Sequence, residues 1–317
     1  MVVVEGCDIN QKTMGHTPLA WAARGGHGAV VKMLLERDDL DPDKPDEGGQ
    51  TPLFLAARNG HEEIVKLVLR REDINPDKPD DDGQAPLWQA AFYGHEGLVK
   101  LLLGQNEVNS DRPDRFGFTP LSAAAREGHE KIVKLFLMRD DINPDKPDED
   151  GRTPLGWAAS GGMKGVVKLL LERDDVNPNR SGEFGRTPLW WAALGGYRRV
   201  VETLLGQSNV NPDSPDRGGR TPLAMAAERG HKRVVRLLLR RDDVNPYTPD
   251  MDGQTPLYYA ALNGHEGVVR LLLEREEVSP NEPNPSRQTA LEGAARNGYQ
   301  GVVALLQLPT PAAHRTT

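Results

Sequence analysis

A tripeptide recurs along this chain of 317 residues at a constant interval of 34 residues. Thr-Pro-Leu begins at Thr17, Thr51, Thr119, Thr153, Thr187, Thr221 and Thr255, and Ala85-Pro86-Leu87 and Thr289-Ala290-Leu291 complete the series with one change each. The nine copies follow one another without an insertion or a deletion. A period of this length predicts a repeat architecture in which every copy is one structural unit.

Each copy is predicted to form two short helices joined by a turn. In the second copy, Thr51 is placed to cap a helix, and Pro52 takes the first helical position, where its missing N–H costs nothing. Gly60 suits the left-handed conformation that ends helices. Residues 62–69 then form a second helix with a broad apolar face. The loop that follows contains two prolines, which forbid helix there.

One copy alone cannot bury its apolar face, so stacked neighbours must form the core. The sequence therefore predicts an all-α solenoid of nine repeats over residues 13–308, rather than the two globular domains that its length suggests. Residues 1–12 form a shortened first segment, in which Val2-Val3-Val4 is interpreted as the remnant of a preceding helix. This truncation favours a C-terminal piece of a longer protein. The Pro-, Thr- and Ala-rich residues 309–317 are predicted to be disordered.

Charge, cysteine content and hydropathy argue against several classes of function. The net charge of -8 argues against general binding to nucleic acid or to anionic membranes, because phosphate contacts need a basic face. Cys7 is the only cysteine, so no intramolecular disulfide can form and a reducing cytoplasm is expected. The chain has no apolar run long enough to span a membrane and no signal-peptide pattern at its start. We expect a cytoplasmic monomer.

The pattern G-x-T-P-L-x-x-A-A-x-x-G-H-x-x-V-V-x-L-L-L resembles the ankyrin repeat and covers about residues 8–307. The resemblance implies helix–turn–helix units with projecting β-turn fingers. It also implies recognition of a protein or peptide partner on the concave face formed by the fingers and the first helices.

Two departures from the family pattern stand out. The usual Gly-Ala-Asp-Val-Asn is replaced by sequences such as Arg173-Asp174-Asp175-Val176-Asn177, and the usual His after Thr-Pro-Leu is absent from all copies. This variant resembles the ankyrin arrays of fungal proteins, including the sensor arrays of fungal NOD-like receptors.

Aromatic residues concentrate at positions that differ between copies, on the first helix or in the finger. Because Trp, Tyr and Arg dominate interface hot spots, these positions predict a partner-binding surface. The candidate contact residues are Trp88, Phe92, Tyr93, Phe116, Phe118, Arg126, Trp157, Phe184, Trp190, Trp191, Tyr258 and Tyr259. Arg58 and Arg126 are predicted rim charges. The alternative interpretation is that the rings pack between neighbouring first helices, which is hardest to accept for the finger residues Phe116, Phe118 and Phe184.

The sequence predicts no metal site, cofactor or catalytic group. A histidine follows the helix-ending glycine in six copies, at His27, His61, His95, His129, His231 and His265. Helices pack 8–10 Å apart, too far for equivalent histidines to share one ion, so a hydrogen-bonding role in the turn is expected. No phosphate-binding loop, nucleophile motif or metal-spaced cysteine set is present.

A further row of cations lies on the second helices, at Lys32, Lys66, Lys100, Lys134, Lys168, Arg236 and Arg270. In several copies a glutamate lies four residues before the cation. This spacing favours ion pairs on a solvent-exposed helix face over a role of the cations in binding phosphate.

Three alternatives to a simple binding module remain open at this point. The first is a ligand-sensing segment of a larger switch protein. The second is a small-molecule binder or enzyme that uses a pocket between Trp157 and the Trp190-Trp191 pair. The third is a structural spacer.

Overall fold

A computed structural model of the protein describes residues 8–280, 283–284 and 288–308. The predictions for Val2-Val3-Val4, for Cys7 and for the tail 309–317 lie outside these residues. The described residues form 18 helices and no strand, and they divide into two compact units between Glu149 and Asp150. The all-α repeat class is therefore confirmed, while the single nine-repeat stack stays a prediction.

The N-terminal unit contains four helix pairs, one for each copy. Its helices are α1 (Pro18–Arg24), α2 (Gly28–Leu35), α3 (Pro52–Asn59), α4 (Glu62–Val68), α5 (Pro86–Phe92), α6 (Glu96–Leu103), α7 (Pro120–Glu127) and α8 (Glu130–Leu137). First helices pack against first helices of the next copy, and second helices against second helices.

The C-terminal unit contains five helix pairs that pack in the same way. Its helices are α9 (Pro154–Ser160), α10 (Lys164–Leu171), α11 (Pro188–Leu194), α12 (Arg198–Leu205), α13 (Pro222–Glu228), α14 (Lys232–Leu238), α15 (Pro256–Leu262), α16 (Glu266–Leu273), α17 (Ala290–Arg296) and α18 (Gln300–Leu306). In both units the core consists of Leu, Val, Ile and Ala side chains between these helices.

Threonine capping begins the first helices as predicted. The Oγ1 atom of Thr51, for example, accepts a hydrogen bond from the backbone N–H of Phe54 at 3.1 Å, which satisfies a donor that the helix cannot pair itself. In the last copy, Glu292 also reaches back to the N–H of Thr289, which completes a capping box. Ala85 has the same extended backbone but no side-chain oxygen, so α5 begins without this bond.

The helix-ending glycines join one copy to the next. Gly94 has a φ of 80°, and a Cβ atom there would lie 2.6 Å from Cε1 of His129 in the following copy. The missing side chain leaves room for the imidazole, whose Nε2 donates to the carbonyl of Phe92 at 2.9 Å. His61, His95, His231 and His265 make the equivalent bond. The predicted hydrogen-bonding role is therefore confirmed for these five of the six histidines.

Most of the fingers are turns that begin with aspartate, and neighbouring fingers are joined by backbone hydrogen bonds. Oδ1 of Asp114 accepts from the N–H groups of Phe116 and Phe118, both at 2.9 Å. Arg115 N–H donates to the carbonyl of Asp82 in the preceding finger at 2.9 Å. These bonds fix the spacing of the fingers within each unit.

The arginine that replaces the family's glycine after the second helix has a structural role. Arg139 forms a bidentate pair with Asp141, at 2.8 Å and 2.9 Å, and donates through Nη1 to the carbonyl of Leu103 at the end of the preceding α6. The guanidinium holds the pKa of Asp141 down at about 2, with help from the hydroxyl of Ser110. Arg71 and Arg241 repeat this arrangement.

A second row of acids lies between the loops of successive copies, and several of their carboxylates have one oxygen that no donor within the described ranges reaches. Oδ2 of Asp213 accepts from the N–H of Asn245 at 3.3 Å, but its Oδ1 is buried without a hydrogen-bond partner among the described residues. Asp43, Asp77 and Asp111 also have a buried Oδ1 that accepts no hydrogen bond from the described part of the chain. Burial raises the pKa of Asp213 above its usual value.

In the fifth copy asparagine replaces this aspartate, and Asn179 shows which hydrogen bond the aspartates lack. Oδ1 of Asn179 accepts from Asn211 N–H at 2.7 Å, and Nδ2 donates to the carbonyl of Asn209 at 2.6 Å. An ionised aspartate cannot supply the second bond, because its carboxylate has no proton to donate. The unpartnered Oδ1 of Asp213 takes the place of this donating nitrogen.

The uncapped start of α5 generates the first prediction. Ala85→Thr should raise the free energy of unfolding by about 1 kcal/mol, since the hydroxyl supplies the cap that other copies have. Thr119→Ala should lower it by a similar amount, because that change removes the corresponding bond. Urea denaturation followed by circular dichroism measures both variants. An Ala85→Thr protein no more stable than the wild type would contradict the capping argument.

The second prediction concerns Asp213→Asn. At pH 7 the amide should stabilise the fold by about 1 kcal/mol, because it donates where the carboxylate cannot. Since the folded-state pKa of Asp213 is raised, protonation favours the folded wild type, and the difference between the two proteins should shrink as the pH falls towards about 4. Denaturant unfolding at both pH values gives the comparison.

Asp77→Asn is the matched control for this prediction. Asp77 pairs with Arg112 at 2.8 Å, so the amide would gain a donor but lose this ion pair. It should therefore stabilise less than Asp213→Asn at pH 7. Equal effects at the two sites, or an Asp213→Asn effect independent of pH, would show that the missing donor is not the cause.

Candidate protein-binding surface

The predicted contact residues fall into three groups by exposure. The buried group is Trp88, Phe118, Trp190 and Tyr258. The half-buried group is Phe92, Trp157, Trp191 and Tyr259. The exposed group is Tyr93, Phe116, Arg126 and Phe184. Only the last two groups offer side-chain surface to a partner.

Trp88 in α5 connects two copies of the N-terminal unit. Its Nε1 donates to the carbonyl of Phe118 at 2.9 Å, and its indole stacks on Phe92 with ring centroids 5.1 Å apart. The expectation that Phe118 is an exposed finger residue is wrong, because its ring lies against Trp88 and only 7% of the residue is exposed. For Trp88 and Phe118 the rings pack between neighbouring copies.

The accessible rings of the N-terminal unit are accompanied by arginines. Tyr93 is 43% exposed, and the guanidinium of Arg58 lies 5.8 Å from its ring centroid. Phe116 is 53% exposed at the tip of a finger, with the Arg115 guanidinium 4.7 Å from its centroid. Such cation–π contacts hold exposed rings and cations in defined positions.

Trp190 in the C-terminal unit repeats the arrangement of Trp88. Its Nε1 donates to the carbonyl of Arg220 at 3.0 Å, and its ring packs on Ala224 and Met225 of the next copy. Tyr258 also reaches across copies, since its hydroxyl donates to Oε1 of Gln288 at 3.0 Å. Both rings bridge successive copies and are buried.

Two arginines organise the accessible rings of the C-terminal unit. The Arg152 guanidinium lies 4.0 Å from the ring centroid of Trp157 and 4.2 Å from that of Trp191. Arg186 lies 4.6 Å from Trp190 and 5.1 Å from Phe184. We call Arg152, Trp157, Phe184, Arg186 and Trp191 the Arg–Trp patch.

Nε of Arg186 is buried and has no hydrogen-bond partner among the described residues. The guanidinium contacts aromatic rings, and this nitrogen lies 4.0 Å from the carboxylate of Asp216. The guanidinium is therefore positioned mainly by rings rather than by hydrogen bonds through this nitrogen.

Tyr259 borders the rings of α11. It packs against the cluster of Trp190 and Met225, and its hydroxyl donates to Oδ2 of Asp250. Burial raises the pKa of Tyr259 far above its usual range, and the Asp250 carboxylate raises it further. The phenol consequently remains protonated near neutral pH and acts as a donor.

The sequence analysis did not identify Arg152 and Arg186. Both occupy the position immediately before Thr-Pro-Leu, which Phe118 holds in one copy and Gln84 in another. The residue at this position varies between copies, whereas the Gly before it and the Thr after it recur in most of them. That variation is the sequence signal that points to Arg152 and Arg186.

The place considered for a small-molecule pocket, between Trp157 and the Trp190-Trp191 pair, contains an arginine side chain. The guanidinium of Arg152 occupies the space between the Trp157 and Trp191 rings. Two clefts elsewhere in the structure are lined by other residues. Within residues 8–280, 283–284 and 288–308, no group of three His, Cys, Asp or Glu side chains is arranged for a metal ion. In the same part of the chain, no helix has the length and apolarity that crossing a membrane requires.

Comparison with known proteins places the repeats in a family. The family model described as ankyrin repeats (three copies) matches overlapping stretches of the chain at residues 1–80, 72–148, 141–216, 207–284 and 241–312. No curated protein matches the chain. Because the family model covers nearly the whole sequence, the chain belongs to the ankyrin repeat family, whose members are typically protein-binding modules.

Proposed function

We propose that the chain is a non-catalytic module that binds a protein or peptide partner through aromatic and arginine side chains of its first helices and fingers. The Arg–Trp patch is the observation that carries this proposal. Trp and Arg supply most hot-spot energy in protein interfaces, and here they are brought together on successive copies.

Preorganisation supports binding at this patch. Trp157 and Trp191 stand on rigid helices, and Arg152 contacts both rings. A partner that covers them need not order flexible side chains, so less entropy is lost on association. The half-buried indoles also retain apolar surface that a partner can remove from water.

Tyr93 and Phe116 form a second accessible group in the N-terminal unit. Each is a large ring that is about half exposed and lies under an arginine. We propose that both groups contact the partner, and that Trp88, Phe118, Trp190 and Tyr258 support them from below.

The setting of this function is proposed from composition. One cysteine and a net charge of -8 suit a monomer acting in the cytoplasm on a protein rather than on nucleic acid.

The third prediction tests the binding surface. Trp157→Ala/Trp191→Ala, and separately Tyr93→Ala/Phe116→Ala, should each weaken binding of the physiological partner by about 30-fold or more, as loss of a hot spot of about 2 kcal/mol implies. Affinity purification from source cytosol, read by mass spectrometry, identifies proteins retained by the intact chain. Calorimetry with the purified partner then gives the affinities.

Met33→Ala/Met138→Ala is the matched control. Both methionines are exposed, at 59% and 74%, but Met33 lies in α2 and Met138 follows the end of α8, away from the predicted contact positions. This variant should bind like the wild type. Trp88 and Trp190 are unsuitable for the test, since loss of a buried tryptophan costs about 3–5 kcal/mol of stability. Retention of the same partner at equal affinity by all folded variants would refute the proposed surface.

A further inference from the structure

A cleft of about 530 Å³ opens in the C-terminal unit where first helices turn into second helices. Its lining comes from three successive copies, and its side chains include Tyr197, Arg198, Arg199, His231, Lys232 and Arg233. It contains none of the predicted contact rings. The cleft is therefore a separate feature from the Arg–Trp patch.

The pairing of two cations departs from the other copies, where these two helix positions hold at most one. Arg198-Arg199 and Lys232-Arg233 occupy the first two positions of α12 and α14. The same positions hold Glu62-Glu63 in the second copy, Glu96-Gly97 in the third and Glu266-Gly267 in the eighth. The repeat framework therefore does not require positive charge at this place.

Little within the described part of the chain neutralises these cations. Arg198 pairs with Glu202 at 3.4 Å. Arg199, Lys232 and Arg233 are exposed, and no carboxylate among the described residues lies within 4.0 Å of them. By contrast, Lys66 pairs with Glu62 at 2.8 Å on the equivalent helix of the second copy.

The position of the cations is also unfavourable for the helices that carry them. The first turn of a helix prefers acidic side chains, because its free N–H groups carry partial positive charge. Two basic residues at the start of α12 and two at the start of α14 oppose that preference and repel one another. The basic cluster therefore stabilises these helices no more than the acidic residues of other copies do. A bound anion would offset the repulsion between its cations.

The walls of the cleft suit a peptide. Tyr197 and His231 stand over Gly162 and Gly196 of the respective preceding copies, where the missing side chains leave room for the rings. The cleft thus combines ring surface with cations from two copies.

We propose that this cleft binds an acidic, extended segment of a partner protein, whose carboxylates pair with Arg199, Lys232 and Arg233. This inference goes beyond the proposed function, because it assigns a second surface with a different chemistry. The two surfaces are separable, since no residue belongs to both.

The fourth prediction measures binding of a fluorescein-labelled octaglutamate peptide to the full chain by fluorescence anisotropy. Octaglutamate should bind at low salt and octaglutamine should not, and added salt should weaken the binding because ionic contacts are screened. Arg199→Gln/Arg233→Gln should weaken octaglutamate binding at least tenfold. Circular dichroism checks that this variant remains folded.

Arg236→Gln/Arg270→Gln is the matched control, since it removes the same charge from exposed positions of α14 and α16 outside the cleft. This variant and Trp157→Ala/Trp191→Ala should both bind octaglutamate like the wild type. Absence of octaglutamate binding, or equal weakening by the cleft and control variants, would overturn the proposal. The proposal would also be overturned if octathymidylate bound more tightly than octaglutamate and the cleft variant lost that binding. This result would assign the cleft to nucleic acid.

Discussion

Contact between successive copies is the interaction on which the rest of the structure depends. A copy has two helices of only seven or eight residues, which are too short to be stable in water by themselves. Each copy leaves apolar side chains and backbone carbonyls that the next copy covers. The imidazole of His129 illustrates this, since it fills the space above Gly94 and donates to the carbonyl of Phe92. His61, His95, His231 and His265 make the equivalent contact, which explains why histidine recurs at this position of the repeat.

The framework was predictable from sequence because its residues act locally or with the equivalent residue of the next copy. Thr51 caps its own helix, and Gly60 ends it with a left-handed backbone. The contact rings were less predictable. The position of Trp88 and that of Trp191 both vary between copies, yet one ring is buried and the other is half exposed. The difference depends on which neighbour meets the ring, and for Trp88 that neighbour is Phe118, thirty residues later. Spacing along one chain gives no information on such a pairing.

Variation between copies therefore has two physical meanings in this chain. At Phe118 it reflects pairing with a large ring in the adjacent copy, which is packing. At Arg199 it places charge where no contact within the described chain makes use of it. Variation of the kind seen at Arg199 is the better indicator of function. Burial and ion pairing, the structural reasons for a variable residue, can be checked there and do not account for it. Trp157 and Arg152 lie between these cases, since they contact each other and still leave surface to a partner.

Charge at the junctions between copies shows the same distinction. Arg139 and Asp141 form a bidentate pair, and Arg139 also holds a carbonyl of the preceding copy, so both charges stabilise the stack. Asp213 lies at another junction, but its Oδ1 has no donor, and burial raises its pKa. Acidification removes stability contributed by Asp141, whose pKa is lowered, and adds stability through Asp213, whose pKa is raised. The two rows of aspartates therefore have opposite effects on the stability of the fold as the pH falls.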